Sequence, residues 1–221
     1  MRRNVVQKYI HKYALYIVLV VLASAVSFLA QGCLFVSEEK KPEPPPVALP
    51  KPEIPMSEDY IRSKPGDMLA FIPKDWFLID VEGKASSDVV AVAVNKDYTV
   101  SMIVQSIRKT DIVEQTVSKE GVIGLARLAF EKRSRKTAGT VRMLSTITTA
   151  TMGDKTFGLY EFTADSATST RLMRSHSAVF VSSINNYYEC SLVPTTISAM
   201  PPPDEIEMNK TFRSILAALQ F

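Results

Sequence analysis

Three regimes of hydrophobic and polar residues follow one another along the chain. Residues 14–30 form a mostly apolar run behind a head that carries Arg2, Arg3, Lys8 and Lys12 and no acidic residue. Residues 35–56 are dense in proline, and from about Ser57 onward apolar positions recur with the periods of strands and helices. Within that third regime, residues 69–73 predict a short strand stopped by Pro73, and residues 76–79 continue past a turn. Residues 89–94 are apolar on both faces, and Asn95-Lys96-Asp97 predicts a hairpin turn. Tyr98, Val100, Met102 and Val104 then alternate with Thr99, Ser101, Ile103 and Gln105, the pattern of a half-buried strand. A helix is expected over residues 116–133, because Val122, Leu125, Ala126, Ala129 and Phe130 share one stripe, although Gly121 and Gly124 oppose it. Residues 141–149, 157–163, 171–182 and 187–193 read as four more strands, and their short connections make neighbours antiparallel. Pro201-Pro202-Pro203 blocks any strand; Asp204 and Glu207 make a start like a capping box. Met208, Phe212, Ile215, Leu216 and Leu219 give a last helix its apolar stripe. The order predicts an α+β domain, an antiparallel sheet of about six strands flanked by helices.

The first regime reads as an export signal. A basic head stays on the cytoplasmic side while the apolar run partitions into the bilayer. As a helix the run spans roughly 25 Å, short for the ~20 residues of a full crossing. It ends in Leu29-Ala30-Gln31-Gly32-Cys33, which resembles the bacterial lipobox, with Ala30 and Gln31 departing from its commonest residues. That resemblance implies cleavage between Gly32 and Cys33 and acylation of Cys33. Several chains at about 0.8 kcal/mol per buried methylene would hold the protein durably on a membrane. An uncleaved signal anchor and soluble secretion are the alternatives. Leu34, where an aspartate would retain such a protein at an inner membrane, leans toward an outer membrane. The expected organisation is a signal peptide over 1–32, a lipidated cysteine and proline-rich tether over 33–56, and one globular domain over 57–221. Proline favours extended polyproline II, so the tether could reach on the order of 60 Å.

Charge follows the same division. The chain has 26 Lys+Arg against 23 Asp+Glu. Removing residues 1–32 takes away four basic residues and no acidic one, leaving 22 against 23 and a net charge of −1. The basicity belongs to the signal, so no nucleic-acid partner is expected. With Cys33 lipidated, Cys190 has no disulfide partner; it shares a strand face with Tyr188 and Leu192 and reads as a small buried hydrophobe.

Phe71-Ile72-Pro73-Lys74-Asp75-Trp76, the mid-chain helix, the hairpin at Gly153-Asp154-Lys155, Tyr187-Tyr188 and Phe212-Arg213-Ser214-Ile215-Leu216 follow one another over roughly residues 68–221. In this order they resemble the Mog1/PsbP-like fold, an α/β/α sandwich, and within it the DcrB-type bacterial envelope lipoproteins. The resemblance implies that Trp76 plugs the underside of the sheet. It implies no catalytic residue, and the family's functions are mixed, so it informs fold more than function.

His176 stands on a strand with no second histidine near it in sequence; a metal wants two or more converging ligands, so it reads as structural, and no metal or cofactor is expected. Asp80, Glu82 and Asp88 could form a weak cation site but read as solvated loop charges. No G-x-S-x-G elbow or phosphate loop occurs, so no enzyme is expected. Lys132, Arg133, Arg135 and Lys136 end the mid-chain helix, where cations complement its dipole. They are also candidates for contact with anionic headgroups. The expectation is a bacterial envelope lipoprotein whose non-catalytic domain is an interaction or assembly-accessory module with a protein partner. The alternative is a small-ligand or cation carrier using a cleft between sheet and helix.

Overall fold

The structure, a computed structural model, describes residues 50–81, 83, 85–137, 139–164 and 173–221. Cys33, its flank Leu29, Ala30, Gln31 and Gly32, most of the tether, and Glu82 lie outside the described residues. The elements in chain order are β1 (Met56–Arg62), β2 (Leu69–Pro73), β3 (Phe77–Ile79), β4 (Val89–Val94), β5 (Val100–Ile107) and α1 (Asp111–Lys136). After these come β6 (Val141–Met143), β7 (Thr148–Met152), β8 (Lys155–Ala164), β9 (Arg174–Val181), β10 (Tyr187–Pro194), α2 (Glu205–Ala218) and β11 (Leu219–Gln220).

Eight strands form the main sheet in the order β3-β4-β5-β10-β9-β8-β6, with β7 also on β8, and every pairing is antiparallel. Its centre is β5 against β10, in register from Tyr187 opposite Ile107 to Pro194 opposite Val100. Alternation sends Met102, Val104, Tyr188, Cys190, Leu192 and Phe180 to one face. There they meet Met208, Phe212, Ile215 and Leu216 of α2 and Ile61, Met68, Ala70 and Ile72 of a three-stranded sheet, β1-β2-β11. The other face presents Tyr160, Phe162, Val179 and Tyr187 to Leu125, Ala126 and Ala129 of α1. The result is α1, main sheet, then α2 with the small sheet: an α+β sandwich of the expected kind.

Details differ from the expectation. The main sheet has eight strands among the described residues, not about six. The stretch 141–149 is two strands, β6 and β7, lying along the edge of β8 opposite β9. β1 and β11 were not expected, and packing begins ahead of Ser57: Met56 touches the core and the Glu53 N–H donates to Ser214 Oγ at 2.9 Å. α1 is longer than 116–133 and is broken at Gly121, whose φ of 61° and ψ of −144° are not helical. α2 starts as expected, with Asp204 accepting from the Glu207 N–H at 2.8 Å. Cys190 is fully buried and unpaired; burial, then the Glu189 charge, pushes its thiol up to about 12. Among the described residues no helix is long and apolar enough to cross a membrane.

Candidate functional site

A cavity of about 400 Å³ opens at one end of the central strands. Arg62, Ser63, Lys64 and Pro65 come from the end of β1 and the turn after it; Ser87, Val89 and Val90 from the start of β4. Ser106, Ile107, Arg108 and Lys109 come from the end of β5, and Asn186, Tyr187 and Tyr188 from the start of β10. Among the described residues the lining therefore holds four cations and no carboxylate. None of these cations has an ion-pair partner among the described residues; Lys109 stands 5.9 Å over the Tyr187 ring. A groove of about 500 Å³ shares Arg62, Lys64, Val89 and Val90 and continues to Leu78 and Ile79 on the edge strand β3 and to Asp80 after it.

The wall of this cleft is fastened by Asp67. Its carboxylate accepts from Ser63 Oγ (2.7 Å), Tyr188 Oη (2.7 Å), Asn186 Nδ2 (3.0 Å) and Ser182 Oγ. Burial pulls the carboxyl up, but these hydrogen bonds outweigh it and hold the group at about 2. One anion thus ties the β1–β2 turn to the β9–β10 hairpin. Gly66 supplies the other constraint: with φ of +82°, it leaves room for Arg62, whose Nη2 would stand 2.8 Å from any Cβ there.

A second polar cluster lies under α1. Arg133 Nη2 donates to Glu189 Oε1 (2.6 Å) and Ser191 Oγ (2.7 Å), and Ser177 Oγ (3.1 Å) and Tyr160 Oη donate to the same carboxylate oxygen. The guanidinium also sits 4.5 Å over the Phe162 ring. Burial alone would push Glu189 up, yet the Arg133 charge and the hydroxyls hold it below the ordinary carboxylate value. Tyr160 moves the other way, raised by burial and by Glu189.

This cluster removes Arg133 from the headgroup patch expected at Lys132, Arg133, Arg135 and Lys136. Successive helical residues turn by about 100°, so Arg133 faces away from the side that Lys132, Arg135 and Lys136 share. Arg133 points inward to Glu189, its side chain 14% exposed. Lys132 and Lys136 both pair with Asp88, at 2.8 and 3.1 Å, which also makes Asp88 unsuited to a cation site. Arg135 stays in solvent, 3.9 Å from Glu131.

His176 is a core histidine. Nδ1 lies 3.4 Å from Glu161 Oε1, the ring lies 5.5 Å from that of Phe212, and Nε2 has no hydrogen-bond partner among the described residues. Burial lowers its pKa despite Glu161. Among the described residues no three His, Cys, Asp or Glu side chains converge as a metal site would require. The basic cleft was not foreseen. Its cations are two short doublets, 62/64 and 108/109, and only the sheet register brings them together.

Among solved structures, the chain is similar to cyanobacterial PsbP (CyanoP) from Synechocystis sp. PCC 6803, with a TM-score of 0.50 and 13% identity, over 73% of this chain and 91% of that one. A Bacteroides thetaiotaomicron protein aligns with a TM-score of 0.41 and 10% identity, over 73% of this chain and 47% of that one. No protein-family model matches the chain, and no curated protein matches it in sequence. The fold is PsbP/Mog1-like. At such low identity the likeness extends to the fold alone.

Proposed function

We propose that the chain is a bacterial envelope lipoprotein, anchored through Cys33 and facing the periplasm or the cell exterior, with an outer membrane favoured over an inner one. Its globular domain serves, without catalysis, as an interaction or assembly-accessory module for an envelope protein partner. The observation that carries this reading is the Leu29-Ala30-Gln31-Gly32-Cys33 junction, placed between a basic-headed apolar run and a proline-rich stretch. The edge of the main sheet supports the second half. Among the described residues β3 ends the sheet and has no strand on its outer backbone edge, and Phe77, Leu78 and Ile79 are 50%, 46% and 40% exposed. Such an edge can accept a partner strand, with backbone hydrogen bonds giving affinity and side chains giving choice.

Two measurements test the reading. Cys33→Ser is expected to leave an unprocessed precursor of unlipidated mass; unchanged mass and membrane fractionation would refute the anchor. A photoreactive residue at Leu78, crosslinked in intact cells, is expected to capture a reproducible envelope neighbour that is lost in Phe77→Asp. No reproducible neighbour would refute the interaction module.

A second reading, a ligand-binding lipoprotein, is favoured by the cleft. It lies between two hairpins rather than between sheet and helix, and its cations, without an ion-pair partner among the described residues, suit an anion rather than a cation.

A further inference from the structure

We propose that the cleft bounded by Arg62, Lys64, Arg108 and Lys109 is a binding site for an organic phosphate, with the phosphoryl group among the four cations and an apolar moiety against Tyr187 and Ile107. The proposal rests on the ligand-binding reading above and names the chemistry of the ligand.

The charge count selects the acid group. A carboxylate brings one negative charge and two oxygens, whereas a phosphate monoester brings about −1.5 to −2 and three acceptor oxygens. Four cations without a carboxylate among the described lining residues match the larger anion better. Arginine adds a planar fork that meets phosphate through paired hydrogen bonds, and Arg62 and Arg108 stand on different elements. Among the described residues the nearby carboxylates are engaged or lie outside the lining, Asp80 standing on the adjoining groove that shares Arg62 and Lys64. Asp67 is occupied by four donors. Asp88 is held by Lys132 and Lys136. Glu114, in the first turn of α1, acts on the Tyr187 hydroxyl but does not line the cavity.

The floor calls for more than inorganic phosphate. Tyr187 and Ile107 are buried, and the cavity, at about 400 Å³, falls at the lower end of the volumes that hold small organic ligands. The walls are also set in advance. Asp67 fixes the hydroxyl of Tyr188 and the amide of Asn186, and Gly66 leaves the Arg62 guanidinium its place. A site that does not reorganise loses less affinity to ordering its own side chains.

A phosphate ester can be a soluble metabolite or the headgroup of a lipid, and the test separates these sources. The full chain, purified in dodecyl maltoside and free of phosphate buffer, is titrated by calorimetry with four probes: phenyl phosphate, inorganic phosphate, phenylacetate and dihexanoyl phosphatidic acid. Saturable binding of an organic phosphate is expected, at least tenfold tighter than either inorganic phosphate or phenylacetate. The tighter of phenyl phosphate and dihexanoyl phosphatidic acid identifies a soluble ester or a headgroup as the source. The Arg62→Gln/Arg108→Gln variant should weaken binding at least tenfold with an unchanged melting temperature, since both side chains are exposed. Lys132→Gln/Lys136→Gln should leave it unaltered. Phenylacetate binding as tightly would overturn the phosphate assignment while leaving the ligand-binding reading intact. Saturation by none of the probes would remove both, and undiminished affinity in the double arginine variant would place the ligand elsewhere.

Discussion

Arg133 and Glu189 meet beneath α1, 2.6 Å apart, with side chains 14% and 5% exposed. Taking both charges out of water is costly, and the pair survives because the carboxylate also accepts from Tyr160 and Ser177. Arg133→Met leaves a buried carboxylate without its cation and is expected to cost about 3–5 kcal/mol in urea unfolding. Arg133→Met with Glu189→Leu should recover most of that loss; recovery of none would mean that the pair contributes more than its own desolvation. The acid side follows from the direction of the shift. Glu189 titrates below its ordinary 4.5 in the fold, so the stability it contributes is present above that value and is lost as pH falls below it. His176 acts in a neighbouring window. Burial lowers its pKa from the ordinary 6.5, so the unfolded chain takes up the proton first and stability declines as pH falls through 6.5. The charges that face it are Glu161, Arg174 and Glu205. His176→Phe removes the proton and keeps a ring beside Phe212, so its melting temperature should gain on the parent at pH 5 relative to pH 8. An equal change at both values would show that the imidazole does not titrate on unfolding.

Two glycines in different elements act as one device. Gly121 breaks α1 with a backbone conformation that is essentially restricted to glycine, and Gly158 on β8 lies directly beneath. A Cβ at Gly158 would stand 2.4 Å from the Val122 carbonyl oxygen, so the kink is what lets the helix backbone rest on the sheet. Gly158→Ala is expected to cost about 1–3 kcal/mol as overpacking and Gly121→Ala about 1–2 kcal/mol as strain. Because Val122 links them, a double-mutant cycle in denaturant should show non-additivity; additive costs would mean independent sites. The same element shows what a sequence can announce. Its stripe from Val122 to Phe130 was legible, but in residues 111–120 only Val113 and Val117 pack, half-buried, against this core, too few to mark a period. α2 was legible from its start, because proline stop, Asp204 cap and apolar stripe are all local, but Leu219, expected as the last residue of that stripe, belongs to β11. β1 was not: of its seven residues only Ile61 is buried, so no alternation marks it. The direction of Arg133 was equally hidden, since a basic run looks solvated until Glu189, far along the chain, is seen to lie beneath it.

At the scale of the whole molecule, one small strand holds the α2 face together. β2 pairs with β1 on one side and with β11 on the other, so segments from opposite ends of the fold meet on it. β11 is only Leu219–Gln220, yet Leu219 is fully buried. The Phe221 ring that follows lies 4.4 Å from Phe180 and 5.6 Å from Phe157. Removing residues 219–221 would therefore delete a ladder, a buried leucine and an aromatic contact with the main sheet. Truncating a buried leucine costs about 2–5 kcal/mol and a phenylalanine about 3–5, against a total stability of about 5–15 kcal/mol for a typical domain. The truncated chain is expected to melt far below the parent or to fail to fold. Leu219→Ala alone should keep a cooperative transition while losing about 2–5 kcal/mol. The more telling readout is local. β1 and its turn carry Arg62 and Lys64, so loosening β11 should also raise amide exchange in residues 56–73 more than in β5 or β10. If exchange rose equally across both sheets, the small sheet would be no separate unit, and the cleft would depend on the core as a whole rather than on the strand that closes it.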